Sequence, residues 1–346
     1  MPLYFLVLLL IAASTSGFER AATVLLLMSP MLVFFKALMA VSSWVFHEDM
    51  HGKVVLITGA SSGIGEHIAY EYAQKGARLV LVARRESLLK EVAHRAMAKG
   101  ASDVKVIIGD VQKENDCKRF VDETVKKFGR LDHLVNNAGV AHSFFYTDTK
   151  DLRSLTSTFD TTFWGDVYMS YFALPHLRRT SGKILVIASA ASWLPYPRQS
   201  IYNSAKSATL AFFDTLRVEV GDAIGITIVM PGWVESEITK GKVIHEDAAM
   251  WIDQTQRDIH VGPVPVISVT ECARAAVKGV IRGSHYVTVP FYYSIFLLYR
   301  VFAPEVLLWA FRLVFVINPN KPSSKKILEA TEANKILYPE SIQKSD

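Results

Sequence analysis

Tyr202 and Lys206 stand four residues apart in a segment with helical apolar periodicity, so both side chains project from one face about one turn apart. A phenol beside an ammonium is an acid–base pair. The positive charge favours phenolate and lowers the phenol pKa from its reference near 10, which makes proton exchange with an alcohol or carbonyl feasible near neutrality. Ser189 ends the preceding β-type run KILVIAS, where its hydroxyl can hold a substrate oxygen as charge develops on it. Ser189, Tyr202 and Lys206 are therefore the expected catalytic set, with Ser189 and Tyr202 touching substrate. A solitary YxxxK is commonplace on helix surfaces. This one gains weight from a glycine-rich turn that precedes it in the chain.

That turn is TGASSGIG, residues 58–65, placed directly after the strand-like VVLIT and before a helical pattern. Gly59 permits the sharp strand-to-helix turn, Gly63 lets a pyrophosphate approach the backbone, and Gly65 allows close packing of the helix on the sheet. Ser61, Ser62 and Ile64 complete the cradle, and the helix N-terminus supplies amide donors for phosphates. At the end of the second strand, where an acidic residue would bind adenosine ribose hydroxyls, the chain has Arg84 and Arg85. Guanidinium groups there favour a 2′-phosphate, hence NADP(H) as cofactor; the other reading is two solvated arginines opening a helix. Asp110 and Val111, after the third strand, either contact adenine or start the next helix, with Asp110 as its cap.

Short β-branched runs alternate with longer helical patterns from Lys53 onward, as in a parallel sheet covered on both faces. The runs begin at Val54, Arg78, Val104, His133, Lys183, Ile226 and Tyr286. Seven such strands give an α/β fold, a doubly wound parallel sheet of the Rossmann type, over residues 47–290. The longest irregular stretch, residues 233–269, follows the sixth strand and is the expected substrate cap.

The bulk properties narrow the alternatives. A chain of 346 residues, half of them apolar, has ample material for one large domain with attachments. Its 38 Lys and Arg against 33 Asp and Glu leave a formal net charge of +5, spread along the chain. That suits weak attraction to an anionic cofactor or lipid headgroups and is no nucleic-acid footprint. Cys117 and Cys272 fall in separate helical patterns, so no disulfide framework or CxxC pattern arises. His142, His176, His260 and His285 lack metal-ligand spacing and are expected at the surface or in loops, with no metal.

Both ends are apolar. Residues 2–13 look like the core of a secretory signal, followed by Ala12, Ala13 and Ser14 at their end, but no Lys or Arg precedes them. Residues 21–46 are long enough for a bilayer helix, for which about 20 residues suffice, yet Pro30 and Lys36 interrupt them. Pro30 fits a kinked span or a hairpin that dips into lipid and returns. Residues 1–46 are thus expected to be a hydrophobic anchor in a lipid monolayer or bilayer. Residues 291–318, broken by Arg300, Pro304, Glu305 and Arg312, read as two short helices that lie at an interface, line a substrate entrance or form a dimer. Residues 319–346 form a polar tail.

Four motifs together, TGASSGIG at 58–65, NNAG at 136–139, YNSAK at 202–206 and PG at Pro231 and Gly232, resemble the short-chain dehydrogenase/reductase family. More narrowly, FGRLDHLVNNAG, FWGDVY, SWLPYPR, VGPVPV and LYPESI resemble plant hydroxysteroid dehydrogenases of the steroleosin type, which are lipid-droplet proteins with an N-terminal anchor. The resemblance implies an NADP(H)-dependent enzyme that interconverts a secondary alcohol and a ketone on a lipophilic, steroid-like substrate. It gives Ser189, Tyr202 and Lys206 the roles argued above and adds a bond from Lys206 to the nicotinamide ribose. It places Asn137, Ala138 and Gly139 on the nicotinamide side of the crevice and counts Pro231 and Gly232 among the cofactor contacts. It also implies a homodimer, and a location on lipid droplets or the endoplasmic reticulum membrane with the catalytic domain in the cytosol. Two departures stand out. The anchor offers only Pro30 in place of a proline-rich knob, and TFWG at 162–165 has Thr162 where the family usually has an asparagine that positions a relay water. Thr162 keeps a hydroxyl and a carbonyl to order that water, so reduced activity is expected. A competing expectation of another class is a sterol-binding droplet coat protein with weak or no catalysis.

Overall fold

Every expected strand forms. In the computed structural model β1 (Val54–Thr58), β2 (Arg78–Ala83), β3 (Asp103–Ile108), β4 (His133–Asn136), β5 (Lys183–Ile187) and β6 (Gly225–Pro231) lie side by side. A small antiparallel pair, β7 (Lys242–Ile244) and β8 (Met250–Ile252), precedes β9 (Tyr286–Val289), which returns to the main sheet. The seven-stranded sheet has the order β3-β2-β1-β4-β5-β6-β9, and its neighbouring pairs are all parallel. The structure describes residues 29–31, 34, 48–252, 254–262, 264–316 and 331–343. Two compact units divide after Glu48, and the first is described only at 29–31 and 34, which are helical and exposed, and at 48. The expected anchor over residues 1–46 therefore lies mostly outside the described residues, as do residues 317–330 of the C-terminal part. Among the described residues no helix is long and apolar enough to cross a membrane.

Two-residue periodicity sends alternate side chains of each central strand into opposite layers. Val55 and Ile57 of β1, with Leu79 and Leu81 of β2, pack under Ile68, Tyr72 and Ala276. Val54 and Leu56, with Val80 and Val82, pack under Phe120, Met169 and Phe213 on the other face. The covering helices are α1 (Gly63–Ala73), α2 (Glu86–Ala98), α3 (Glu114–Phe128), α4 (Arg153–Phe159), α5 (Gly165–Thr180), α6 (Ser200–Val220), α7 (Gln254–Val261) and α8 (Val269–Ile281). One turn of π-helix, Asp160–Trp164, joins α4 to α5. The free thiols of Cys117 and Cys272 are buried in α3 and α8, as expected.

The stretch 233–269 is more ordered than its sequence suggests, since it carries β7, β8 and α7. Three-residue strands leave no periodicity to read. Ile244 of β7 docks on the chain after β4, with its amide donating to the Ala141 carbonyl at 2.9 Å. This contact encloses His142, which lies outside the named strands, in keeping with the surface-or-loop expectation, but is fully buried there. Burial pulls its imidazole down to about 4. His176 is half-buried, His285 is exposed, and the side chain of His260 lies outside the described residues.

After β9 come α9 (Tyr293–Phe302) and α10 (Pro304–Phe315), the two short helices expected, with Pro304 opening the second. Their outward face is apolar and exposed at Leu298, Phe302, Leu308 and Trp309. Beyond them, Tyr338 and Ile342 bury themselves against Val261 and Val266 of the cap. There the Tyr338 hydroxyl donates to the Gly262 carbonyl at 2.8 Å, and Arg257 Nη1 donates to the Ile342 carbonyl at 2.5 Å.

Candidate active site

The strand order reverses between β1 and β4, and at the carboxyl ends of those strands lies a cavity of about 290 Å³. All residues expected to bind cofactor or substrate line it except Gly65. Gly59 and Gly63 have φ of 63° and 60°, so both sit where only glycine is unstrained. Gly65 serves a tighter contact than the packing of helix on sheet. An added Cβ would lie 2.5 Å from the Gly59 carbonyl oxygen and closer still to Asn137 Nδ2. The N-terminus of α1 has no side-chain cap, which leaves its first amides to a ligand.

The NNAG segment is stitched to this turn. The Thr58 hydroxyl accepts from the amides of Asn137 and Ala138 at 3.0 and 3.1 Å, while Asn137 Nδ2 donates to the carbonyls of Thr58 and Gly59 at 2.9 and 3.2 Å. Asn137 therefore fixes the shape of the cradle. At the other edge, Arg85 Nη2 donates to the hydroxyls of Ser62 and Ser61 at 2.7 and 3.1 Å, and Arg84 Nη1 lies 3.6 Å from Asp110 Oδ2. Asp110 also accepts from the Gln112 amide at 3.1 Å, forming a turn ahead of α3, whose cap position is Lys113. A donor set of helix amides, serine hydroxyls and two guanidinium groups fits the phosphates of a nicotinamide dinucleotide.

Ser189 follows β5; its Oγ accepts from the Ala191 amide at 3.1 Å, and its side chain also bonds that of Tyr202. Tyr202 and Lys206 share one face of α6, as their spacing requires. Lys206 is buried, and its Nζ donates to the Ile187 carbonyl at 2.6 Å, 6.0 Å from the centre of the Tyr202 ring. Here the spacing argument needs correction. Burial pushes the Tyr202 phenol up to about 12, only partly opposed by a hydrogen bond from Ser189. Distance and desolvation outweigh the ammonium, whose own pKa burial lowers against the pull of Asp166.

Thr162 is fully buried, and its hydroxyl is committed to backbone. It donates to the Val140 carbonyl at 3.1 Å and accepts from the Val140 amide at 3.3 Å. Its carbonyl accepts from Thr209 Oγ1 at 3.2 Å. The hydroxyl has spent its one proton on Val140, so toward a water it can only accept. An added Cβ on Gly139 would sit 3.7 Å from Thr162 Oγ1 and 3.8 Å from Lys206 Nζ, which brings all three into one neighbourhood.

Several lining residues are not singled out by the sequence, although Tyr196 lies in SWLPYPR and Trp233, Glu237 and Lys242 lie in the expected cap. Tyr196 and Trp233 stand edge to face at 5.5 Å, and Tyr196 also meets Phe311 of α10 at 5.2 Å. Glu237 and Lys242 enter from the segment after β6. Gly232, beside Pro231, has no room for a side chain because the Tyr293 ring occupies that space.

Such a sheet, with a glycine turn at its switch point and a Ser, Tyr and Lys set beside it, defines a nucleotide-dependent oxidoreductase. The chain belongs to the short-chain dehydrogenase/reductase family, whose "short chain dehydrogenase" sequence model matches residues 53–247. It is similar to an 11-beta-hydroxysteroid dehydrogenase of Pinus massoniana, 51% identical over 287 residues that cover 83% of this chain and 81% of that protein. Similar too are 11-beta-hydroxysteroid dehydrogenase A of Arachis hypogaea (49%, 90% of each chain) and 11-beta-hydroxysteroid dehydrogenase 1A of Arabidopsis thaliana (45%, 91% of each chain). Among solved structures, a short-chain dehydrogenase/reductase from Burkholderia phymatum in complex with NAD shares the fold, with a TM-score of 0.66 and 24% identity over 76% of this chain and 96% of that one. An alcohol dehydrogenase from Thermococcus sibiricus complexed with 5-hydroxy-NADP gives 0.57 and 26% over 69% and 94%.

Proposed function

We propose that the protein moves a hydride between NADP(H) and a secondary alcohol or ketone carbon of a lipophilic, steroid-like substrate, at a lipid surface. The observation that carries this reading is the Ser189, Tyr202 and Lys206 set opening onto an aromatic wall, Tyr196 and Trp233, that continues into Phe311 and Phe315 of α10. Such a wall accepts a rigid apolar ring system, and the exposed apolar face of α9 and α10 beside it suits entry from lipid. The naming of the plant relatives as hydroxysteroid dehydrogenases supports the same substrate class. Arg84 and Arg85 at the end of β2 support NADP(H) over NAD(H).

The bound nicotinamide supplies or accepts the hydride. Ser189, which bonds Tyr202 in the free protein, turns its O–H to the substrate oxygen. Tyr202 enters as a neutral phenol and delivers its Oη proton to a ketone oxygen; alcohol oxidation needs the phenolate, which Lys206 stabilises once it turns from Ile187. The anchor over residues 1–46 is proposed to hold this chemistry at a droplet or reticulum surface with the catalytic domain in the cytosol, and homodimers are proposed from the family.

The test uses the full chain in detergent, with NADPH and a panel of ketosteroids, and NADP+ with the matching hydroxysteroids. Turnover that Tyr202→Phe abolishes, at retained NADPH binding, supports the enzyme. Sterol binding without turnover, unchanged in Tyr202→Phe, supports the droplet coat protein in its place. Imaging a fluorescent fusion with and without residues 1–46 tests the location.

A further inference from the structure

Arg85 joins pieces of chain far apart in sequence. Besides the two serine hydroxyls of the glycine turn, its Nη1 donates to Glu237 Oε1 at 2.6 Å, a partner 152 residues away. The other oxygen of Glu237 accepts from Lys242 Nζ at 3.1 Å. A carboxylate thus lies between a guanidinium and an ammonium, with Ser61 and Ser62 beside it, at the adenosine edge of the crevice. Both cations hold it below the usual carboxylate range. A guanidinium fork and an ammonium are partners of a phosphate monoester, and Glu237 supplies the anion these two cations lack; the Ser61 and Ser62 hydroxyls, which accept from Arg85, keep protons to give such a phosphate. Arg84 has no such tight partner, since Asp110 stands 3.6 Å from it.

We infer that Glu237 is an intramolecular surrogate for the 2′-phosphate of NADP(H): it occupies the phosphate's cationic partners in the free protein and must be displaced when that phosphate binds. This rests on the NADP(H) reading above. Glu237 then sets how strongly the protein prefers the phosphorylated cofactor, because the cofactor's phosphate competes with it and a bare 2′-hydroxyl does not. The pair is about one-third exposed on both sides, so the contest is modest. Removing the carboxylate charge is expected to favour the phosphate by about three- to tenfold, the scale of one or two half-exposed ion pairs.

Calorimetric titration of the full chain with 2′,5′-ADP and with 5′-ADP tests this. The quantity read is the ratio of the two affinities in wild type, Glu237→Gln, Glu237→Ala, Arg85→Ala and the Glu237→Gln/Arg85→Ala double variant. The expected result is a ratio about three- to tenfold higher in both Glu237 variants, with the gain gone when Arg85 is absent. An unchanged or lower ratio in Glu237→Gln overturns the inference, as does a gain that persists without Arg85. A wild-type ratio at or below one would count against NADP(H) itself, whereas the surrogate role is read only from the change between variants.

Discussion

Asp166, in the first turn of α5, feels the Lys206 ammonium, and its replacement by asparagine gives a sharply signed experiment. The side chain is 2% exposed, and Oδ2 has no hydrogen-bond partner. Burial pushes its carboxyl from 3.8 up to about 7, against the opposing pull of the Lys206 ammonium. Between those values the native state keeps a proton that the unfolded chain has released, so stability falls as pH climbs from about 4 through 7. A rise of that size costs on the order of a few kcal/mol by pH 8. An asparagine amide does not titrate. Asp166→Asn is therefore expected to match wild type near pH 4 and to exceed it by on the order of a few kcal/mol at pH 8, less what the Lys206 ammonium loses with its counter-charge. Urea midpoints followed by tryptophan fluorescence, on the full chain in detergent between pH 4.5 and 8, measure the difference. A stability gap that does not change with pH, or a variant weaker than wild type at pH 8, would refute the reasoning.

Three further perturbations read other parts of the site. Gly65→Ala drives a methyl into the Gly59 carbonyl and Asn137, so the loss of Asn137's two bonds plus overpacking should cost about 2–5 kcal/mol in urea unfolding, well above the helix-propensity gain of about 1 kcal/mol; a neutral effect would show that the turn and NNAG can separate freely. His142 titrates near 4 when native and near 6.5 when unfolded, so it withdraws up to about 3 kcal/mol as pH falls through that window, and His142→Leu should flatten this acid limb; a limb of unchanged steepness contradicts the assignment. Thr162→Asn should raise turnover severalfold at constant KM if the proton relay is the weak link, and unchanged turnover would remove the relay from the account.

The parts of this molecule that sequence revealed are those written in local periodicity. Val54 to Thr58 alternate between two layers because a strand has period two, and Tyr202 and Lys206 share a face because a helix turn spans four residues. Glycine positions were legible for the same reason, since φ near +60° at Gly59 is a local demand. What stayed hidden depends on distant chain. The Arg85–Glu237 contact spans 152 residues, and the aromatic wall draws Tyr196, Trp233 and Phe311 from three separate segments. The direction of the Tyr202 shift was misjudged because spacing places an ammonium nearby but says nothing of desolvation, which wins here. His142 looked like a loop residue because it is one; β7 then closed over it.

The π turn at Asp160–Trp164 puts one surplus residue into an otherwise continuous helix from Arg153 to Thr180. Removing a single residue there would close the turn to regular α-helix and shift the bulged residues, among them Thr161, which lines the crevice, and the buried Thr162. Length is therefore as much a part of this site as composition. A one-residue gap between this chain and a relative across 160–164 should be read as a change of active-site geometry, not as drift in a connecting loop.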